Sequence, residues 1–133
     1  MRKGLISAVA AAVSTGGRPS SLFALNPRAR LAVAADIGAS HATVALTDLA
    51  GTVLVEHSEP LAVALGPEAV LGWLVRSARV MLESVDRSVD DVAAIGIGVP
   101  GPVEHSTGQP VNPPIMPGWD RYGIPGRLRA TFD

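Results

Sequence analysis

The chain has no cysteine among its 133 residues, which excludes disulfides and thiolate-bound metals. Aromatic residues are scarce, at 4%, while hydrophobic residues reach 47%. A core must therefore be assembled from Val, Leu, Ile and Ala. No apolar run reaches about 18 residues, the length a membrane-spanning helix needs, so no such helix and no membrane partner is expected. Acidic residues are missing from positions 1–30, where Arg2, Lys3, Arg18, Arg28 and Arg30 give +5. The whole chain is at −1, so the remainder carries −6. A basic arm ahead of an acidic body would bring an anionic partner to the N-terminus; the alternative is a solvated tail beside an ordinary acidic domain. The length leaves room for one domain.

What is present is a pair of glycine-bearing loops set between apolar strands. The first, Asp36-Ile37-Gly38-Ala39-Ser40-His41, follows the run Leu31 to Ala35 and precedes the alternating run Thr43 to Thr47. A short Asp/Gly/Ser loop between two such runs is a hairpin signal. Gly38 is expected to supply positive φ and to bare backbone amides for an anion. Asp36, at the strand end, is placed to orient a metal-bound water or a sugar hydroxyl. The second loop is Gly96-Ile97-Gly98-Val99-Pro100-Gly101-Pro102. It lacks the glycine spacing of a dinucleotide fingerprint, and no helix follows it.

Leu31 to Ala35 is continuous and apolar, which predicts a strand buried on both faces. The next strand alternates, with Val44 and Leu46 on one side. Asp48 to Gly51 predicts a turn and Thr52 to His57 a third strand. Gly66-Pro67-Glu68 opens a helix, and Leu71, Leu74, Ala78, Met81 and Val85 recur on one face of it. Val92 to Gly98 reads as a fourth strand, parallel to the first because a helix crosses between them. Six of the eleven prolines fall in residues 99–119, which should form a long ordered loop. Arg121 to Phe132 predicts a further helix. Thr15 to Ser21 reads as a Gly/Pro/Ser loop. His57 and His105 have no ligand-spaced partners and read as surface residues; Glu104 reads as a turn former.

The ordered set Thr15-Gly16-Gly17-Arg18-Pro19, Asn26-Pro27, Asp36-Ile37-Gly38, Asp48-Leu49-Ala50-Gly51, Gly96 to Pro102 and Asn112 to Trp119 resembles the first half of a ROK-family protein. That group comprises sugar kinases and sugar-responsive repressors. The resemblance implies an α/β, ribonuclease-H-like (actin-like ATPase) first lobe of order βββαβ over residues 29–133, lacking its last strand. It implies that residues 1–28 are the remnant of a winged helix-turn-helix wing and a linker. Arg18 would then be a DNA contact near the wing tip; a plain linker loop is the alternative. Arg2-Lys3 followed by Leu5 to Val13 imitates a signal peptide, but the pattern runs on through Gly16 to Pro19, and the family implies a cytoplasmic protein.

The resemblance also assigns sites. Asp36, Gly38, Ser40 and His41 match the kinase phosphate loop. In the family's kinases that loop has a second Gly where Ala39 stands, Thr at Ser40 and Lys at His41. Ala39 adds a Cβ and His41 gives up a fixed charge, which fits the repressor branch; a ligand-free structural hairpin is the alternative. Pro100 and Gly101 match the loop that closes on the sugar, with Asn112 offering an amide to sugar hydroxyls. Trp119 would either stack on a sugar ring or pack as core. The family's Asn-Asp catalytic pair has no counterpart: Asn26 and Asn112 are the only asparagines, and neither precedes Asp. The chain stops at Asp133, ahead of the motif's expected position, so no phosphoryl transfer is expected. No cofactor is expected here, with ATP and Mg²⁺ implied only if the chain descends from a kinase. The partners implied are a sugar or sugar-phosphate effector, DNA (weakly or not at all for this chain), and another copy of itself through a bare apolar strand edge. A truncated regulator, a piece of a sugar kinase and a non-functional product are the three readings carried forward.

Overall fold

The computed structural model describes residues 6–11 and 21–132. Strands β1 (Ile6–Ala11) and β2 (Ser21–Leu25) pair antiparallel as a two-stranded ribbon, with a register irregularity between Ala8 and Ala10. Arg18 lies outside the described residues.

From Leu31 the chain builds a second sheet. Strands β3 (Leu31–Ile37), β4 (His41–Asp48) and β5 (Val53–Pro60) form an antiparallel meander. Its second turn is organised by Asp48. The Asp48 Oδ1 accepts the backbone N–H groups of Ala50 and Thr52, each at 2.9 Å. This satisfies a carboxylate that is only 6% exposed, and Gly51 completes the turn with a φ of 87°. After a 3-10 turn at Val63–Leu65, helix α1 (Pro67–Ser84) begins with Pro67 in its first turn and Glu68 beside the positive end of the helix dipole. Strand β6 (Val92–Gly98) then pairs parallel to β3, giving the order β5-β4-β3-β6. Helix α2 (Ile124–Phe132) closes the described chain. The expected βββαβ order is the one observed.

The core lies between the sheet and α1. Val70, Leu71, Leu74, Ala78 and Leu82 meet Leu31, Val33, Ile37, Val44 and Leu46, all essentially without solvent contact. A fully buried Leu or Val of this kind contributes about 1.5–3 kcal/mol. The junction into the sheet is pinned by arginines. Arg30 donates to the Val92 carbonyl at 2.9 Å, and Arg87 donates to the carbonyls of Arg28 and Ala29 at 2.9 and 3.1 Å. Arg30, counted above in the basic arm, is thus used inside the fold.

Two expectations need correction. Strand β3 is not buried on both faces: Leu31, Val33, Ala35 and Ile37 are buried, while Ala34 and Asp36 are exposed. Helix α1 covers one face only. The register places Ala34 and Asp36 beside Gly96 and Gly98 of β6, which are also exposed. The last helix begins at Ile124 rather than Arg121. Arg121 has a φ of 62°, a left-handed conformation incompatible with a right-handed helical turn.

Candidate functional site

The β3–β4 hairpin leaves Gly38 to His41 as its loop, with Ile37 paired to Ala42. The Gly38 N–H donates to the His41 carbonyl at 2.8 Å. Gly38 does not adopt positive φ as expected. Its glycine requirement comes from crowding: a Cβ there would lie 3.1 Å from the His41 carbonyl oxygen. The carbonyls of Ala39 and Ser40 accept the N–H groups of Val63 and Leu61 at 3.0 and 2.9 Å. The loop is therefore fastened to the segment leading into α1. Ala39, Ser40 and His41 are all exposed.

Parallel pairing of β3 with β6 brings the second glycine loop to the same end of the sheet. Asp36 and Gly98 are register partners, and a Cβ on Gly98 would lie 3.7 Å from the Asp36 Oδ1. Beyond Gly98 the proline-rich segment folds back on itself. Val111 donates to the Pro102 carbonyl at 3.0 Å. A Cβ on Gly101 would sit 2.9 Å from the Pro113 Cβ and 3.0 Å from the Met116 Sδ, so only glycine fits. Pro100 is half-buried in this turn. Between Val111 and Pro113, Asn112 is exposed and holds a φ of 46°. Asp36 and Gly98 thus form one rim of the sheet, and the proline-rich segment that carries Gly101 and Asn112 follows from it in the chain. The Glu104 turn is closed by Glu104 N–H to Gln109 and Gly108 N–H to Glu104, both 2.9 Å.

Trp119 does not face that rim. It has 0% exposure, its indole N–H donates to the Val63 carbonyl at 3.0 Å, and its ring meets Tyr122 edge-on at 6.3 Å between centroids. No face is left for a sugar ring, and of the two roles read from the sequence the packing role is the one it fills here. The physical reason is that an indole buries much apolar surface and still finds a carbonyl for its one donor.

Three further groups carry no sequence signal because their partners are distant. Asp120 Oδ1 accepts the Asn112 N–H at 2.8 Å. Glu68, in the first turn of α1, accepts the Tyr122 hydroxyl and pairs with Arg127 at 3.5 Å. The Tyr122 hydrogen bond, with help from Arg127, holds the Glu68 carboxyl below its usual range, and the same bond raises the Tyr122 hydroxyl. On the other side of α1, Glu59 accepts the Trp73 indole N–H and contacts His57 at 3.2 Å. The Trp73 bond, then the His57 bond, lower the Glu59 carboxyl. His57 and His105 are exposed.

A cavity of about 710 Å³ lies elsewhere among the described residues. It runs between β6 and α2 and is lined by Ile95, Ile97, Val99, Leu128 and Phe132. It includes none of the candidate residues. In the first loop the Gly38 amide is engaged by the His41 carbonyl, and no group of three potential metal ligands occurs among the described residues. No helix of the described residues is long and apolar enough to cross a membrane.

A four-stranded mixed sheet in βββαβ order, backed by one helix and with two glycine loops at one end, defines the first lobe of an actin-like ATPase fold. Similarity to known proteins narrows this. The family model "ROK family" matches residues 32–133, and the chain belongs to that family. It is 26% identical over 104 residues to the xylose repressor of Bacillus spizizenii, covering 78% of this chain and 27% of the repressor. It is 26% identical over 121 residues to the "Putative xylose repressor" of Caldicellulosiruptor sp., covering 84% of this chain and 30% of that protein. The chain therefore spans less than a third of these relatives. Among solved structures, a ROK family transcriptional regulator homologous to the E. coli MLC protein superposes with a TM-score of 0.66 at 22% identity, over 86% of this chain and 28% of its own. A Listeria monocytogenes protein described as "a putative N-acetylmannosamine kinase" superposes with a TM-score of 0.57 at 21% identity, over 75% of this chain and 31% of its own.

Proposed function

We propose that this chain forms the first lobe of a sugar-responsive transcriptional regulator, and that Asp36, Gly98, Gly101 and Asn112 are its contribution to the effector site. The observation that carries this reading is extent of match. The structure named as a regulator matches over 86% of the chain, against 75% for the one named as a putative kinase, and both curated relatives are named as repressors. Two features support it chemically. Ala39 and His41 stand where kinase phosphate chemistry needs a bare glycine and a fixed positive charge. The β1–β2 ribbon lies in a segment whose sequence holds Arg2, Lys3 and Arg18 and no acidic residue, and it would serve as a wing that contacts DNA phosphate through Arg18.

The kinase reading is favoured by the likeness to the kinase-named structure, and it is opposed by Ala39 and His41 in the first loop. Two measurements on the same preparation test the choice. Titration with D-xylose, D-glucose and N-acetylmannosamine should show binding of at least one. A coupled ATP assay should show no turnover above a heat-denatured control. Turnover would overturn the regulator reading, and absence of binding across the sugars would overturn the effector role. Gel shifts should show only weak, salt-sensitive, sequence-independent DNA binding; tight sequence preference at physiological salt would show that the wing suffices alone.

A further inference from the structure

We propose that Asp120 is a positioning residue for the side-chain amide of Asn112. The inference rests on the sugar-effector reading above and adds a residue to it.

Asn112 is one of three non-glycine residues with positive φ among the described residues, at 46°. Asparagine accepts that conformation better than most residues, but it is still disfavoured. Asn112 also precedes Pro113, and a residue before proline is steered towards extended backbone. Left to local preferences, this peptide would straighten. Alongside its flanking residues, a side chain eight positions on holds it: Asp120 Oδ1 accepts the Asn112 N–H at 2.8 Å, a charge-assisted hydrogen bond of the stronger kind.

Asp120 is a firm anchor because both its neighbours are fixed. Trp119 is buried, with its indole on the Val63 carbonyl at 3.0 Å. Arg121 donates its backbone N–H to the Pro110 carbonyl at 2.7 Å. Tyr122 follows, its N–H on the Trp119 carbonyl at 2.9 Å and its hydroxyl on Glu68. The carboxylate is thus held by the folded lobe, and it transmits that rigidity to a peptide whose side chain presents both an amide donor and a carbonyl acceptor. The residues flanking Asn112 are fixed too, Val111 to the Pro102 carbonyl and Pro113 against Gly101. With the flanking residues fixed, the Asp120 bond sets the remaining freedom of the Asn112 backbone, and so the direction in which its side chain leaves the chain. A backbone set in advance lowers the ordering cost of binding a hydroxyl pair.

The test is a double-mutant cycle read by D-xylose affinity and by amide exchange of Asn112 in the 133-residue chain. Asp120→Ala should speed exchange of the Asn112 N–H and weaken D-xylose by roughly tenfold, the worth of one hydrogen bond to a charged group. Asp120→Asn keeps the acceptor oxygen and should retain most of the affinity. In an Asn112→Ala background, Asp120→Ala should have no further effect on affinity, whereas a general structural role would lower it in both backgrounds. An unchanged Asn112 exchange rate, or an Asp120→Ala loss that persists without the Asn112 amide, would overturn the proposal. So would wild-type affinity in Asp120→Ala or in Asn112→Ala, with the sugar reading left standing. If the wild-type chain binds neither D-xylose nor the other sugars above, the effector reading falls and takes this proposal with it.

Discussion

The Trp119 indole N–H reaches the Val63 backbone carbonyl at 3.0 Å, joining residues 56 positions apart. Val63 in turn donates its own N–H to the Ala39 carbonyl at 3.0 Å. One residue therefore links the first glycine loop to the end of the proline-rich segment. Trp119→Ala should cost about 3–5 kcal/mol of stability through the cavity it leaves. Trp119→Phe should cost less, about 0.5–1.5 kcal/mol for the lost indole hydrogen bond, because the Val63 carbonyl still accepts the Gly66 N–H at 3.1 Å. Urea unfolding measures both; a loss below 1 kcal/mol for Trp119→Ala would mean the segment is not docked on the lobe.

Asp48 provides a second test. Its Oδ1 organises the turn between β4 and β5 through two backbone amides. Asp48→Ala should destabilise by about 1–3 kcal/mol, and Asp48→Asn, which keeps the oxygen, should recover most of that. Equal losses for the two variants would show that charge, not the acceptor geometry, matters.

The glycines of the second loop should separate cleanly. Gly101→Ala forces a methyl into Pro113 and Met116, whereas a Cβ on Gly96 meets nothing within 4 Å. Thermal melts should show Gly101→Ala several degrees below wild type and Gly96→Ala close to it. The opposite order would contradict the packing of the proline-rich segment.

The contact between the first turn of α1 and Tyr122 predicts a pH window. The Glu68 carboxyl is lowered by its bond from Tyr122 and by Arg127. Its contribution is present above the ordinary carboxylate range and is lost as pH falls through the lowered value. The Tyr122 hydroxyl is raised by the same bond, so its contribution holds below the ordinary tyrosine range and is lost as pH rises through the raised value. Amide exchange across 119–128 should therefore be slowest between those limits. Tyr122→Phe should flatten the dependence on both sides, and an unchanged profile in that variant would sink the assignment. Glu68 is solvent-exposed and Tyr122 only partly buried, so the effect should be local and weakened by salt.

Strand β6 ends the sheet with a Val/Ile-bearing edge and no charged residue along Val92–Gly98, whereas the opposite edge strand β5 carries Glu56, His57 and Glu59. Light scattering should show concentration-dependent association through the uncharged edge, and Ala94→Lys should suppress it. A monomer at all concentrations would show that the edge is shielded.

Much of this architecture was legible from residue order. Leu71, Leu74, Ala78 and Met81 repeat at helical spacing, and they are the buried face of α1. Val44 and Leu46 alternate with Thr43, Ala45 and Thr47, and β4 buries them as expected, although Ala45 between them is buried as well. The two-sided burial expected of β3 failed because alanine looks apolar in a count yet tolerates either environment; Ala34 is exposed. Gly38 was rightly singled out and wrongly explained, since crowding by a carbonyl leaves the same letter as positive φ. At the candidate site, the adjacency of Asp36 and Gly98 follows from parallel pairing and could be anticipated. The role of Asp120 could not, because it is defined by a backbone group eight positions away, and for Trp119 packing is one of the two roles read from the sequence, while its Val63 partner, 56 positions off, is not.

Parallel pairing of β6 with β3 also sets an order of events in folding. The β3–β4–β5 meander is held by neighbouring segments and needs only short loops to close. β6 must wait for the whole of α1 to form and pack, since Arg30 and the Val92 carbonyl it binds stand 62 positions apart. Closing so long a loop before any contact rewards it is the slow step. Substitutions in the meander should slow refolding, while those in β6 should mainly speed unfolding. A ribosome synthesising this chain would expose the finished meander well before β6 could dock beside it.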